Sequence, residues 1–256
     1  MATLVFIRWR RMVRTVAFLL VFVALTLFAQ RSETSEQYIN RLTKEAAGSQ
    51  PVQESRFPRQ RAMDNTFRSL LRTLIQQNRA FFAAASKVDR EKIKKVMTPE
   101  SFADPALGAD VVKELDAYAD LEQKHGAEAD QSFADLRHTF ETADWSAPQR
   151  ERMLKSFDSI LAEPQGLRHN YLQAEKAYVE SVDDLYHVAA EHKAVLKIEN
   201  GDLKVFDDDV LEELNKRIKL ANSRREEMLK ARQTYKDLQN QRLQSIGIDL
   251  MEVGIQ

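Results

Sequence analysis

Phe67, Leu74, Phe81 and Val88 stand seven residues apart, and that spacing constrains the fold more than any other feature of the chain. A seven-residue apolar repeat returns a side chain to one helical face every second turn. Leu70, Leu71, Ile75, Phe82 and Ala85 widen the stripe, so the face is broad and core-facing rather than a narrow two-stranded seam. With only 7 Gly and 6 Pro among 256 residues, and 30% of them charged, little interrupts such helices. The fold class expected is mainly α, an elongated antiparallel helical bundle.

Punctuation divides the bundle. The first helix is predicted from about Pro58 to Met97, with Asn78 beside the stripe as a partly exposed amide. Thr98-Pro99-Glu100 reads as an N-cap with Pro at the first helical position, and Asp104-Pro105 repeats the signal, marking a connector of short turns. A second helix should start near Asp110 and carry Val111, Leu115, Tyr118, Leu121, Phe133, Leu136 and Phe140, kinked or broken at Gly126. Ser146 is the N-cap expected for the third, which carries Leu154, Phe157, Ile160 and Leu161 and resumes at Tyr171, Leu172, Tyr178, Val182, Leu185, Tyr186 and Ala189. Pro164 either kinks that helix or separates two.

The period then falls to two. Leu196, Ile198, Leu203 and Val205 alternate with Lys197, Glu199, Asp202 and Lys204 around Asn200-Gly201. Asn-Gly accepts the positive φ angles of a two-residue turn, so a small β-hairpin is predicted at about 195–206, its apolar side lying on the helices. The alternative is a helix–loop–helix connection. Asp207, Asp208 and Asp209 follow, and read as an N-cap with first-turn carboxylates rather than a cation site, because the oxygen spacing and turning glycine of a calcium loop are missing. The last helix is expected to reach about Ser245, with Val210, Leu211, Leu214, Ile218, Ala221, Met228, Tyr235 and Leu238 inward. The apolar tail 246–256 is expected to pack on the bundle or to dock a partner.

At the other end, Arg8, Arg10, Arg11 and Arg14 precede an uncharged run from Thr15 to Ala29 that Arg31 closes, with Trp9 placed as an interfacial residue. A basic start followed by an apolar stretch is an export signal. Two fates stand open. One is an uncleaved anchor buried over residues 12–30, and the other is a cleaved signal peptide. Residues 1–30 are therefore the targeting segment, 31–56 a polar linker with a short helix around Glu36 to Ala47, and 57–256 the helical domain. The expected place is the bacterial inner membrane as a single-pass protein with the C-terminal domain outside the cytoplasm, or the periplasm after cleavage.

Chemistry-bearing patterns are sparse. The chain has no cysteine, which removes disulfides, thiol catalysis and thiolate metal sites. His187 and His192 lie five apart, which does not align two imidazoles, and Glu191 is placed to pair with His187; His125, His138 and His169 are read as solvated or hydrogen-bonded. Gly-rich phosphate loops and a nucleophile elbow are missing. The carboxylates alternate with Lys and Arg on helix faces, and no two of them stand out in an apolar setting. Lys87, Arg90, Lys92, Lys94 and Lys95 form a basic cluster at a helix end, interrupted by Asp89 and Glu91. A net charge of −1, well mixed, leaves no footprint for nucleic acid. No catalytic, cofactor-binding or metal-ligating residue is assigned.

The stretch from Ala194 to Ile218, with Glu199-Asn200-Gly201-Asp202, Phe206 and Leu214-Asn215-Lys216-Arg217-Ile218, resembles a segment of a bacterial family of short helical cell-envelope proteins, often lipoproteins, that carries no assigned activity. The resemblance implies an envelope location and a helical fold; the lipidated cysteine of that family has no counterpart here. The function expected is non-enzymatic, a structural or protein-interaction role through helical faces, self-association or the tail. The alternative is an extracytoplasmic ligand-binding or sensory module acting through a partner.

Overall fold

The computed structural model describes residues 41–245, apart from 43 and 47. The targeting segment 1–30, most of the helix expected around Glu36 to Ala47 and the tail 246–256 lie outside the described residues. What is described is mainly helical with one small antiparallel sheet. Helix α1 spans Pro58–Ala85, α2 Arg90–Ile93, α3 Pro99–Ala103, α4 Pro105–Thr142 and α5 Ala147–Glu191. Strands β1 (Leu196–Glu199) and β2 (Asp202–Val205) follow, and α6 spans Asp208–Ser245. Among these helices none is long and apolar enough to cross a membrane.

The first helix stops twelve residues before the expected Met97. The Ser86 hydroxyl donates to the Ala83 carbonyl at 2.9 Å, and Asp89 then caps a new turn, accepting from the amides of Glu91 at 3.0 Å and Lys92 at 3.2 Å. The connector is organised by one distant side chain. The Tyr186 hydroxyl accepts the Met97 amide at 2.8 Å and meets the Ser101 hydroxyl at 2.7 Å. That bond holds Met97 at φ 58, a left-handed conformation unfavourable for a side chain of this kind. Thr98 and Ser101 form the capping box of α3.

The second long helix begins at Pro105, not Asp110, because the Asp104 carboxylate caps it at the Ala106 amide, 3.0 Å away. It runs unbroken through Gly126, where the expectation of a break is corrected. A Cβ on Gly126 would lie 2.8 Å from Leu172 Cδ1, so the missing side chain lets α4 approach α5 closely. Pro164 likewise sits within a continuous α5, inward and buried; the helix on both sides is held by α4, which offsets the lost backbone bond.

Each long helix packs on its neighbour in sequence, α1 on α4, α4 on α5 and α5 on α6. The α1–α4 contacts climb one helix while descending the other, from Phe67 on Phe140 to Gln77 on Ser132 to Phe81 on Tyr118. Those of α4 with α5 do the same, from Gly108 against Tyr186 to Gln123 on Leu172 to Arg137 on Asp158. Asn78 is 1% exposed on the inward stripe of α1, which corrects the reading of a partly exposed amide.

The hairpin forms as predicted. Asn200 and Gly201 take φ 57 and 85, and Leu196 pairs with Val205 and Ile198 with Leu203. Leu196 is buried and Leu203 and Val205 pack on the core, while Ile198 remains 42% exposed. Asp207 caps α6 through the Val210 amide at 3.1 Å, and Asp208 and Asp209 sit in its first turn. Leu211, expected inward, is 41% exposed; it lies one position off the seam that Val210 and Leu214 define, a rotation of about 100°.

A buried tyrosine–carboxylate–arginine cluster

The inward stripe of α4 runs Leu115, Tyr118, Glu122, Gly126, Ala129 and Phe133, and that of α5 runs Arg168, Tyr171, Glu175, Tyr178 and Val182. Steps of three and four keep these positions on one face whatever their chemistry. Both stripes therefore carry a Tyr-x-x-x-Glu pair into the core at the same level. The Tyr118 hydroxyl bonds the Glu122 carboxylate, and the Tyr171 hydroxyl donates to Glu175 Oε1 at 2.8 Å. Each glutamate is 6% exposed.

Helix α6 brings the third wall. The Tyr235 ring stacks on Tyr171 with centroids 6.4 Å apart and planes at 14°. One turn earlier, the Arg232 guanidinium lies over the Tyr171 ring, 5.9 Å from its centroid. Gln239 completes the level, and the Arg168 charge lies beside Tyr235. Arg168 is itself 6% exposed and pairs with Asp130 on α4.

Burial sets the electrostatics. It raises both carboxyl groups, Glu122 above the usual carboxylate range and Glu175 up to about 8, the charge of Glu122 adding to the effect at Glu175. Tyr171 and Arg232 pull the other way at Glu175 without compensating. Burial also lifts the phenols of Tyr118, Tyr171 and Tyr235. For Arg232 burial works against the charge, yet Tyr171, Tyr118, Glu122 and Glu175 together hold the guanidinium more firmly protonated than usual. Glu175 Oε2 and Gln239 Nε2 are buried without a hydrogen-bond partner.

His125, one turn beyond Glu122 on α4, stacks on Phe81 of α1 at 4.8 Å and 26°. Burial, with the nearby Arg168 charge, lowers it to about 4, so it is neutral and its buried Nδ1 is without a partner. Both amide atoms of Asn78, one turn before Phe81, are in the same condition.

The other residues with chemical potential do not converge. His187 meets Glu191 at 3.3 Å and His138 meets Glu141 at 3.7 Å, all exposed, and His169 contacts Gln173 at 2.7 Å. In the basic cluster Lys92 pairs with Asp110 at 2.7 Å and Lys94 with Glu91 at 2.6 Å. An open groove of about 620 Å³ lies along the start of α5, but its Asp158 is engaged by Arg137 at 2.9 Å and its Arg150 by the Glu141 carbonyl at 3.1 Å. Among the described residues no three histidines or acids are grouped to hold a metal ion.

Two buried carboxyl groups were therefore missed in the sequence. The signal was present: Glu122 and Glu175 fall in register on apolar stripes, each four residues after a tyrosine. An overlooked partner lies nearer the N-terminus. Glu45 bonds Arg68 at 2.9 Å and Arg41 at 3.0 Å and accepts the Gln53 amide at 3.0 Å, with Glu45 and Arg68 each 2% exposed. That buried pair ties part of the polar stretch 31–56 to α1. No protein-family model, curated protein or solved structure matches this chain.

Proposed function

We propose that this chain is a non-enzymatic helical protein of the bacterial cell envelope, carried to the inner membrane by residues 1–30, with its helical domain on the outer side, acting by contact with a protein partner. The observation that carries this reading is the leader itself, four arginines followed by an uncharged run of fifteen residues from Thr15 to Ala29. The described domain supports it with surfaces suited to contact. Phe206 is 59% exposed beside the hairpin, and it lies within the stretch 194–218 that resembles envelope proteins. The bundle is read as elongated and antiparallel throughout, presenting long charged faces.

The test is fractionation of cells expressing the full chain with a C-terminal tag. Sedimentation with membranes, resistance to alkaline extraction and digestion of the domain only from the periplasmic side are expected. A full-length chain in the soluble cytoplasmic fraction overturns the proposal. Photocrosslinking from position 206 then tests the partner. A second reading, an extracytoplasmic sensory module working through a partner, is favoured by one observation, the ionisable cluster at the centre of the bundle.

A further inference from the structure

Arg232 reaches from α6 into a box that α4 and α5 build from two like pairs, Tyr118–Glu122 and Tyr171–Glu175. We propose that this box is a proton-operated latch on α6, closed while one of its two carboxyl groups holds a proton and weakened when that proton leaves.

Three features of the geometry support it. First, the charges do not balance. Two buried carboxyl groups share one guanidinium, and the next cation, Lys236, acts on Glu122 alone. Once Glu122 is ionised, a charge on Glu175 has no cation of its own, and a buried unmatched charge strongly disfavours the packed state. Second, Glu175 Oε2 has no donor to stabilise it as a carboxylate oxygen. Third, α6 lies at one end of the order of packing, opposite α1, and rests chiefly on α5. Its displacement near Met228 to Gln239 admits water to the box without dismantling α1 and α4.

The groups facing the box are accounted for on every element. Helix α4 presents Tyr118, Glu122 and His125, and α5 presents Arg168, Tyr171, Glu175 and Tyr178. Helix α6 presents Arg225, Arg232, Tyr235 and Lys236, and α1 lays Phe81 against Tyr118. Among these Glu122 and Glu175 are the acids, and His125 is already neutral above its ordinary range. Loss of a proton near neutral pH therefore falls on the carboxyl pair. The latch goes beyond the proposed envelope role and does not depend on it.

Hydrogen exchange of the purified full chain tests it, with rates divided by the intrinsic rate at each pH. The opening constant of amides near Met228 to Gln239 is expected to rise about tenfold per unit between pH 6.5 and 7.5, the limit for one proton, and to level off beyond about 8. Amides of α1 near Leu74 are expected to stay constant. In Glu175→Gln the rise is lost. A flat opening constant in the unsubstituted chain, or an undiminished rise in Glu175→Gln, overturns the latch. Should the variant fail to fold, the carboxyl carbon of Glu175 followed by NMR in the unsubstituted chain decides. Titration in step with α6 opening supports the latch, and titration in the ordinary carboxylate range overturns it.

Discussion

Near the hairpin, Val111, Val182, Leu185, Val210 and Leu214 fill the inward positions of α4, α5 and α6. Further along the same three helices, Glu122, Glu175 and Arg232 occupy equivalent positions of the same stripes. The first level draws its stability from removal of apolar surface from water and is indifferent to which aliphatic contacts which. The second adds little net stability, since its carboxyl groups are desolvated more than they are compensated. It contributes directional bonds between particular residues, Tyr118 to Glu122 and Tyr171 to Glu175, with Tyr235 and Arg232 set against Tyr171. The difference teaches that one helical period supports two kinds of core, and that only the second responds to protons.

The comparison breaks most sharply at Leu185, fully buried in the aliphatic level. Leu185→Ala is expected to cost about 2–5 kcal/mol in urea unfolding at any pH. A loss below about 1 kcal/mol would mean that this level is not the main core.

The dependence of stability on pH sharpens the contrast. Glu175 binds its proton more tightly folded than unfolded, so stability falls as pH rises from the ordinary carboxylate range near 4.5 to about 8, by up to about 1.4 kcal/mol per unit. Glu122 shifts in the same direction. His125, lowered to about 4, binds less tightly folded, so stability also falls as pH drops below the ordinary histidine range. Below the ordinary histidine range the two slopes oppose each other, so unfolding followed across pH should show its clear fall between about 6.5 and 8; Glu175→Gln should lose that fall, and His125→Gln should extend it down to about 4.5. A profile flat between about 6.5 and 8 would refute the assignment.

Asn78 separates polar groups that are matched from those that are not. Its two amide atoms are buried without partners, so Asn78→Leu should stabilise by about 1–3 kcal/mol, read from the denaturation midpoint. A destabilised variant would show that the amide is engaged.

The smallest expected change is at Gly108. An added Cβ would lie 2.9 Å from the Ser101 carbonyl oxygen and 3.0 Å from Tyr186 Cδ1. The overpacking exceeds the gain in helix propensity, and Gly108→Ala is expected to lose about 1 kcal/mol with protection of the Met97 amide weakened.

Much of the fold was legible because it rests on local chemistry. The hairpin followed from alternation around Asn200-Gly201, the only pair of adjacent residues here in left-handed conformation among the described residues. The start of α6 followed from Asp207, and the long helices from their stripes. The breaks were less legible. Gly126 and Pro164 punctuate a helix in isolation, but in the folded chain Leu172 fills the space a Cβ would take, and packing between α4 and α5 outweighs one lost backbone bond. Met97 shows the reverse, where Tyr186, 89 residues away, holds a turn that the residues around it do not encode.

The cluster lay beyond local reading altogether. A glutamate on an apolar stripe is solvated or buried according to what faces it, and that was decided when α6 set Arg232 and Tyr235 over Tyr171. By itself the sequence determined periodicity, caps and turns, since these depend on residues within a few positions of one another. Tertiary structure alone decided which polar groups lost water and whether a partner met them, because desolvation and pairing are set by side chains that only folding brings together.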